Sequence, residues 1–325
     1  MSDPDELLER TAAVLAAAGV VADMRLCCAL SGGVDSVVLF EVLNRLQPRL
    51  GYRLSAAHVH HGLSPHAGGW AEACVARCAR AGVPLHVFHV EVDRRHPDGV
   101  EAAARAARHA ALDTVDCDWL AFGHHQDDQA ETVLFRLLRG TGVRGAAAMR
   151  VASAVANGRP GRLRPLLALR RTQIEDWARR AGLDWVEDES NTALHFTRNA
   201  IRHRLLPVAE ALFPAAVPAL ARAAVHFAEA DDLLGELAAS DAAACGGEVL
   251  SRRGLLALSP ARQANLMRWL MLRRAALAPS RATLDEALRQ LRACPIDHPL
   301  RLAVGAWACC AYRDAVWLEP AAAAV

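Results

Sequence analysis

Short apolar runs alternate with segments of helical spacing along the first half of this chain, and this alternation constrains the fold more than any other feature. Apolar residues that recur every three or four positions predict helices, whereas short apolar runs bounded by turn residues predict strands. The predicted strands lie at 24–30, 54–60, 85–92 and 119–122, and the helices that follow them at 34–46, 67–81, 100–114 and 126–138. This rhythm predicts an α/β fold, a doubly wound parallel sheet with ligands at the carboxyl ends of its strands.

The pattern changes after Pro207, where strand-like alternation gives way to an alanine-rich stretch. Other predicted segments are a loop region at 140–161, helices at 170–181, 263–274 and 282–291, and a strand-like tail at 300–318. We therefore predict a catalytic domain at 1–207 and a second, mainly helical domain at 208–325. The second domain lacks a constellation of titratable residues typical of catalysis, which favours a binding role.

All 37 basic residues of the chain are arginine. Without lysine, the chain has neither a Walker A lysine nor a lysine that forms a Schiff base. Fourteen arginines but only six carboxylates lie between Arg136 and Arg204, so this segment is strongly basic. Arginine suits phosphate and RNA contacts, which favours a polyanionic partner. The alternative is a solvated surface whose charge is offset elsewhere in the chain.

The sequence does not indicate a membrane or secreted protein. No stretch reaches the roughly 18 apolar residues that cross a bilayer, and the acidic residues Asp3, Asp5 and Glu6 are unlike the start of a signal peptide. The nine cysteines are odd in number and scattered, which predicts reduced core residues rather than a disulfide framework. We expect a cytoplasmic protein without membrane contact.

A turn rich in serine and glycine joins the first predicted strand to the following helix. It consists of Ser31, Gly32, Gly33, Val34, Asp35 and Ser36. Glycines let a backbone close around phosphate oxygens, and the amide groups at a helix N-terminus favour an anion there. We interpret the turn as a phosphate-binding loop, with an ordinary turn as the alternative.

Carboxylates cluster after the fourth predicted strand. Helical spacing places Asp127 on one face with Glu131, and Asp128 on one face with His124. Carboxylates beside a nucleotide are typical ligands of Mg²⁺, so we predict a magnesium site at Asp127, Asp128 and Glu131. Capping of the helix by Asp127 and Asp128 is the alternative, and the two roles can coexist.

Histidines end the second predicted strand at His58, His60 and His61. Three imidazoles beside a nucleotide site favour contacts with phosphate or base, with a buried core histidine as the alternative. We take His58 and His61 as candidates for ATP binding.

The loop from Ser31 to Ser36 resembles the signature of the PP-loop ATP pyrophosphatases, which cleave ATP between the α and β phosphates. Taken with further segments, the chain resembles the tRNA(Ile)-lysidine synthase family over about residues 24–208, and more loosely at 258–262, 269–272 and 279–280. Those further segments are 58–63, 120–132, 137–145, 164–170, 185–191 and 197–202. His60 departs from the family pattern, where asparagine is expected. The resemblance also implies a short form of the family without a further C-terminal domain.

The resemblance implies ATP-dependent ligation of L-lysine to C2 of the wobble cytidine in the CAU anticodon of an isoleucine tRNA. The implied intermediate is an adenylated cytidine, and the products are lysidine, AMP and pyrophosphate. ATP and Mg²⁺ are the implied cofactors. The second domain is expected to bind the tRNA.

The resemblance also implies roles for individual residues. Catalytic roles are expected for Asp35, His124, Asp128, Glu131 and Arg198, and ATP contacts for Ser31 to Ser36, His58 and His61. RNA contacts are expected for Arg139, Arg144, Arg164, Arg170 and Arg202. The proton acceptor for the lysine amine is expected to be His124 or Asp128. An alternative for Arg198 and Arg202 is a loop-stabilising pair with Glu187 or Asp188.

Two other functions stay open at the level of sequence. A tRNA thiolase of the same fold would use paired cysteines, but Cys74 and Cys78 are separated by three residues and no Cys-x-x-Cys motif is present. A non-catalytic RNA-binding relative is disfavoured because the glycines and carboxylates are intact. The oligomeric state also stays open, with a homodimer among the alternatives.

Overall fold

The computed structural model describes residues 4–93, 95–97, 99–154, 159–187, 197–274, 280–304 and 307–320. The chain divides into two compact units, Met1–Ala228 and Glu229–Val325. The domain boundary predicted at 207/208 falls before this division and stays a prediction.

The first unit is built on a sheet that has six strands in the described residues. The strands are β1 (Arg25–Ala29), β2 (Arg53–His60), β3 (Leu85–His89), β4 (Trp119–Ala121), β5 (Ala152–Ser153) and β6 (Gly161–Leu163). Their order is β3-β2-β1-β4-β6-β5, and every pair is parallel except β5 with β6. The chain leaves β1 toward β2 on one side and reaches β4 on the other. The crevice between β1 and β4 is therefore the expected ligand position in a sheet of this kind.

Helices connect these strands. They are α1 (Pro4–Ala17), α2 (Val34–Leu50), α3 (Ala67–Ala81), α4 (Val100–Leu112), α5 (Gln126–Leu138), α6 (Val143–Ala146) and α7 (Arg171–Arg180). The predicted bounds of α3 and α5 are confirmed at both ends. The loop predicted at 140–161 is wrong in part, because it contains α6 and β5. Strands of two or three residues are too short to show an alternating pattern.

Both faces of the central strand are buried. Leu26 and Cys28 point into one apolar cluster with Val38 and Ile174, whereas Cys27 points into a second cluster on the other face. This burial explains why β1 is apolar throughout. All nine cysteines lie in described ranges and are free thiols, as the sequence predicts.

A bent run of helix follows α7. It consists of α8 (Thr197–Ala200), a π-helical turn at Ile201–Leu205, α9 (Leu206–Leu212) and α10 (Ala216–Ala244). Ile201 and Leu206 pack with Ala130 of α5, which fixes the π-helical turn against that helix. Single π-helical turns are frequent at functional sites, and this one carries Arg202.

The second unit combines helices with a small antiparallel sheet. Its elements are β7 (Leu250–Ser251), α11 (Arg252–Ala257), α12 (Pro260–Arg273), α13 (Arg281–Ala293), β8 (Leu300–Val304), β9 (Trp307–Tyr312) and β10 (Ala315–Pro320). The strand order in the described residues is β7-β10-β9-β8. The predicted fold class, a doubly wound sheet with a second helical region, is confirmed, and the tail predicted at 300–318 forms most of the small sheet.

None of the described helices is by itself long and apolar enough to cross a membrane, although the pair Arg198–Leu212 and Ala216–Ala244, bent by 99°, passes the same test of length and composition.

Candidate functional site

The loop between β1 and α2 is closed by one hydroxyl. Ser36 Oγ accepts hydrogen bonds from the backbone N–H groups of Ser31 and Gly32, both at 3.1 Å, and donates to Gly33 O at 2.9 Å. Gly32 has a φ of 94°, and a Cβ at this position would lie 2.8 Å from Val186 Cγ2. The loop therefore requires glycine at position 32 for both its backbone conformation and its contact with Val186.

This loop leads directly into the N-terminus of α2. Gly33 is the N-cap and makes no side-chain capping hydrogen bond, so the amide groups of the first turn keep their capacity to bind an anion. The end of β4 lies against the same turn, because a Cβ on Gly123 would be 2.8 Å from Asp35 O. The phosphate loop and the polar residues after β4 consequently share one site.

His125 connects the two sides of this site. Its side chain is 1% exposed, and Nε2 lies 3.7 Å from Asp35 Oδ1 and 3.4 Å from Asp128 Oδ2. His125 also caps α5, accepting from Asp128 N at 3.4 Å while its own N–H donates to Asp128 Oδ2 at 3.1 Å. The capping interpretation of Asp128 is therefore confirmed. His125 and Asp128 are three residues apart, the spacing of the two members of a capping box. This spacing is the signal that would have identified His125 from the sequence.

Asp35 carries an unsatisfied oxygen. Its Oδ1 is buried and accepts no hydrogen bond from the described residues. Burial raises the pKa of this carboxyl, and electrostatic interactions with His125 and Arg171 only partly offset that effect. Arg171 is a second contributor to the site that the sequence did not single out. A buried carboxylate oxygen without a hydrogen bond, beside a phosphate loop, is a suitable acceptor for a cation or an ammonium group.

Arginines from the π-helical segment neutralise the carboxylates of α5. Glu131 is 1% exposed and accepts from Arg202 Nε at 2.6 Å and Nη2 at 3.1 Å. Arg202 Nη2 also lies 3.2 Å from Asp128 Oδ1. Arg198 donates to Thr132 Oγ1 at 2.6 Å, and its Nε is 3.6 Å from Glu131 Oε2. We call Asp128, Glu131, Arg198 and Arg202 the α5 ion network.

The two central carboxyls of this network have shifted pKa values in opposite directions. Burial raises the pKa of Glu131 more than the paired Arg202 lowers it. Burial acts in the same direction on Asp128, but His125, His124 and Arg202 outweigh it and the pKa of Asp128 is lowered. Glu131 is therefore the better proton acceptor of the two.

Asp127 belongs to a separate pair. It accepts from Arg170 Nη2 at 3.0 Å and from the backbone N–H of Arg171 at 2.8 Å, while Arg170 also binds Glu210 at 2.9 Å. Among the described residues, no three His, Cys, Asp or Glu side chains are grouped so as to hold a metal ion. Of the three carboxylates predicted as one magnesium site, Asp127 is paired with Arg170, whereas Asp128 and Glu131 belong to the α5 ion network. The magnesium site at these three residues stays a prediction.

The predicted histidines are held mainly by packing. His58 is 4% exposed, with Nδ1 2.9 Å from Leu30 O, and burial lowers its pKa. His61 lies just after β2 and is partly buried. His124 stacks on Phe122 with ring centroids 5.7 Å apart, and burial lowers its pKa to about 3. His58 ties the end of β2 to β1, and its predicted contact with ATP stays a prediction, as does that of His61.

The arginines predicted to bind RNA fall into two groups. Arg170 and Arg202 are engaged by carboxylates, as described above. Arg139 and Arg144 are exposed near the end of α5 and in α6, with the Arg139 guanidinium 5.1 Å from the Phe135 ring. Arg164 is partly buried, lies over Phe122 and donates to Arg150 O at 2.8 Å. Burial lowers the pKa of Arg164 to about 10, so it stays charged at neutral pH.

The alternative partner Glu187 is exposed, and Asp188 and Asn191 lie outside the described residues. Arg198 and Arg202 instead contact residues of α5, so a pair with Glu187 does not account for their positions.

The pH dependence of activity tests the role of His124. With a pKa of about 3, its imidazole stays neutral throughout the range in which enzymes are assayed and accepts protons poorly. We expect His124→Gln to leave the midpoints of the pH–rate profile between about pH 5 and 9 unchanged. The measurement is kcat/KM against pH for both proteins. Loss of the acidic limb in the variant would identify His124 as the titrating base.

Comparison with known proteins gives two family matches. A model described as a PP-loop domain matches residues 5–209, and a model described as a TilS substrate binding domain matches residues 250–317.

Curated relatives match almost the whole chain. The tRNA(Ile)-lysidine synthase of Aromatoleum aromaticum is 57% identical over 307 residues, which are 94% of this chain and 71% of the relative. The enzyme of the same name from Azoarcus sp. is 56% identical over 314 residues, covering 97% and 70% of the two chains. That of Nitrosomonas europaea is 40% identical and covers 91% and 65%.

Among solved structures, a U34-tRNA thiolase from Methanococcus maripaludis with a [4Fe-4S] cluster superposes with a TM-score of 0.59 at 20% identity, covering 69% of this chain and 79% of the thiolase. At 20% identity, this likeness supports the fold alone.

Proposed function

This chain belongs to the tRNA(Ile)-lysidine synthase family, and we propose that it uses ATP to join L-lysine to C2 of the wobble cytidine in the CAU anticodon of tRNA(Ile). The observation that carries the proposal is the direct contact between the phosphate loop and the residues after β4, made at Gly123 and Asp35. This contact places an ATP-binding loop beside a group of carboxylates and arginines suited to an amine and a polyanion.

The reaction requires activation of the cytidine before the amine attacks. The C2 oxygen is a poor leaving group, so transfer of AMP to it, with release of pyrophosphate, converts it to a better one. The lysine ε-amine then forms the C2–N bond as the C2–O bond to AMP breaks, and the amine loses a proton. The hydrogen bonds inside the loop fix its shape, and the amide groups of the first turn of α2, which no N-cap side chain occupies, are the proposed donors for the ATP phosphates, where preorganised donors are most effective.

Magnesium fits the donor set at one position. Asp35 Oδ1 is a buried carboxylate oxygen without a hydrogen bond from the described residues, directly after the phosphate loop. Mg²⁺ usually takes one or two carboxylates together with phosphate oxygens and water. We propose that Asp35 holds the ion, which would neutralise charge on the phosphates. Asp127, Asp128 and Glu131 are already paired with arginines.

The shifted pKa values change the preferred proton acceptor. The pKa values of His124 and Asp128, the two candidates from sequence, are both lowered. Those of Asp35 and Glu131 are raised by burial, which brings a carboxylate nearer to the pH at which it must accept a proton. Because Asp35 is proposed to hold the ion, we propose Glu131 as the acceptor of the amine proton.

Exposed arginines near the end of α5 and in α6 are the proposed RNA contacts of the first unit. They are Arg139 and Arg144. The anticodon loop that they would contact is single-stranded, so its bases can be splayed out and read individually. The second unit is proposed to bind the tRNA as well. A cytoplasmic location and the homodimer stay predictions.

Transfer of labelled lysine tests the proposed function. A tRNA(Ile) transcript with the CAU anticodon should incorporate lysine in the presence of ATP, whereas a transcript with uridine at the wobble position should not, because it lacks the cytidine. The readout is acid-precipitable label, with AMP formed in equal amount. Equal labelling of the two transcripts, or none in either, would contradict the proposal.

A further inference from the structure

The second unit contains arginines whose charge is not neutralised. Several of its arginine side chains bind carboxylates, for example Arg281 with Asp285 at 2.8 Å and Arg289 with Glu286 at 2.6 Å. Three arginines in and directly after the second half of α12 have no carboxylate within 4.0 Å in the described part of the chain: Arg268, Arg273 and Arg274. Uncompensated positive charge concentrated at one end of a helix favours an anionic partner.

Two of these arginines lie over tryptophan rings. The Arg273 guanidinium carbon is 4.7 Å from the centroid of Trp269, and that of Arg274 is 5.8 Å from the centroid of Trp307. Both tryptophans are partly buried and pack on the core of the second unit. Because the rings are fixed, they orient the guanidinium planes and reduce the freedom that these side chains would lose on binding.

The third of these arginines lies apart from the other two. Arg268 is partly buried, and burial together with the nearby guanidinium of Arg281 on α13 lowers its pKa. Five and six residues separate it from Arg273 and Arg274, which places it on another face of α12.

The remaining polar side chains of α12 are used inside the protein. Gln263 donates to the backbone carbonyls of Leu256 and Leu258, and Asn265 donates to that of Leu234. These amides are therefore occupied and do not present the paired donor and acceptor groups that read base edges. Guanidinium groups alone suit phosphate contacts, which position a nucleic acid without reading its sequence.

We propose that Arg273 and Arg274, with the rings of Trp269 and Trp307, form a surface that binds the sugar–phosphate backbone of the tRNA and supplies affinity without discriminating between tRNAs. We call these four residues the α12 arginine surface. The proposal rests on the proposed function for the identity of the RNA. Selection of isoleucine tRNA over other tRNAs would then depend on residues outside this surface.

The test compares charge removal on α12 with the same change on α13. The double variant Arg273→Gln, Arg274→Gln is measured for tRNA binding across a series of salt concentrations. Removing one arginine that binds a phosphate should lower the slope of log K against log salt by about 1, so we expect a decrease of about 2 and binding on the order of 100-fold weaker at 0.1 M salt. The weakening should be equal for isoleucine and methionine tRNAs, while KM for lysine stays unchanged.

The matched control is Arg281→Gln, Arg289→Gln, which removes two exposed arginines of the same unit that are already paired with carboxylates. It should keep the wild-type slope. A second variant, Arg273→Lys, Arg274→Lys, retains charge and should also keep most of the slope, which separates charge from damage to folding. An unchanged slope in the glutamine variant, or a loss confined to one tRNA, would overturn the proposal. Displacement of tRNA by polyglutamate at equal charge concentration would also overturn it in favour of an acidic protein.

The two proposals fail in different ways. If the wild-type protein binds tRNA with a slope that depends on Arg273 and Arg274 but transfers no lysine, the proposed function fails and the surface stands. If the protein transfers lysine and the glutamine variant binds as tightly as the wild type, the surface fails and the function stands.

Discussion

Replacing Gly123 by alanine is expected to reduce lysine transfer by about a hundredfold or more, because a displacement of about 1 Å at reacting groups can cost that much. The new Cβ would lie 2.8 Å from Asp35 O and 2.9 Å from Asp35 C, and both atoms are backbone that cannot rotate away. The end of β4 and the first turn of α2 must therefore separate. Steady-state kinetics with tRNA and ATP measure the loss.

Thermal unfolding of the Gly123 variant gives a second readout. Overpacking of this kind costs about 1–3 kcal/mol, which leaves the protein folded at assay temperature if its stability is ordinary. The matched control is Gly68→Ala in α3, where a Cβ meets nothing within 4 Å among the described atoms. Alanine there should be neutral or slightly stabilising. Wild-type activity in Gly123→Ala would show that the contact between β4 and α2 does not position the site.

Much of the first unit could be predicted because its elements are regular. The phosphate loop was recognisable from Ser31 to Ser36 because glycine is required where a φ of 94° and contact with Val186 exclude a side chain. The strands β1 and β2 were recognisable because burial on both faces makes a strand apolar throughout. The short strands β5 and β6 gave no such signal, since the position of β6 depends on pairing with β4 and that of β5 on pairing with β6.

The partners of charged side chains could not be predicted in the same way. The prediction from sequence grouped Asp127 with Asp128 and Glu131 because they are neighbours on one helix. In the structure, Asp127 forms an ion pair with Arg170 and Glu131 forms one with Arg202. Those arginines come from segments well beyond α5 along the chain. Tertiary packing brings them to α5, and no local spacing encodes that choice.

The same limit applies to the choice between adjacent histidines. His124 and His125 differ by one position at the end of β4, which directs them to different surroundings. His124 stacks on Phe122, whereas His125 lies between Asp35 and Asp128. The sequence motif identifies His124 and His125 as candidates. Which way each side chain points depends on how β4 ends, and the motif does not show this.

Removing Arg202 is expected to destabilise the first unit by up to about 3–5 kcal/mol, because breaking a buried ion pair leaves Glu131 with Arg198 alone, at 3.6 Å. In the wild-type protein Glu131 is 1% exposed, and in Arg202→Met it loses the hydrogen bonds from Nε and Nη2 of Arg202. The pKa of Glu131, already raised by burial, should rise further. Lysine transfer should fall as well, since Arg202 also holds Asp128. Chemical denaturation at pH 7 measures the change.

The sign of the pH dependence follows from that raised pKa. A carboxyl whose folded-state pKa exceeds its unfolded value destabilises the fold above that pKa, and the penalty disappears as the pH falls and the group is protonated. The stability difference between wild type and Arg202→Met should therefore be larger at pH 8 than at pH 5. Adding Glu131→Gln removes the charge, so the double variant should recover much of the stability but not the activity.

An exposed pair provides the matched control for this cycle. Arg179 and Asp176 lie 2.7 Å apart with side chains 58% and 65% exposed, so Arg179→Met should cost less than about 1 kcal/mol. It should also leave activity and its pH dependence unchanged. If Arg202→Met proved as mild as this control at every pH, Glu131 would not depend on Arg202, and the α5 ion network would contribute little to either folding or catalysis. A large loss that Glu131→Gln partly reverses would instead show that Arg202 is required because Glu131 is buried and charged.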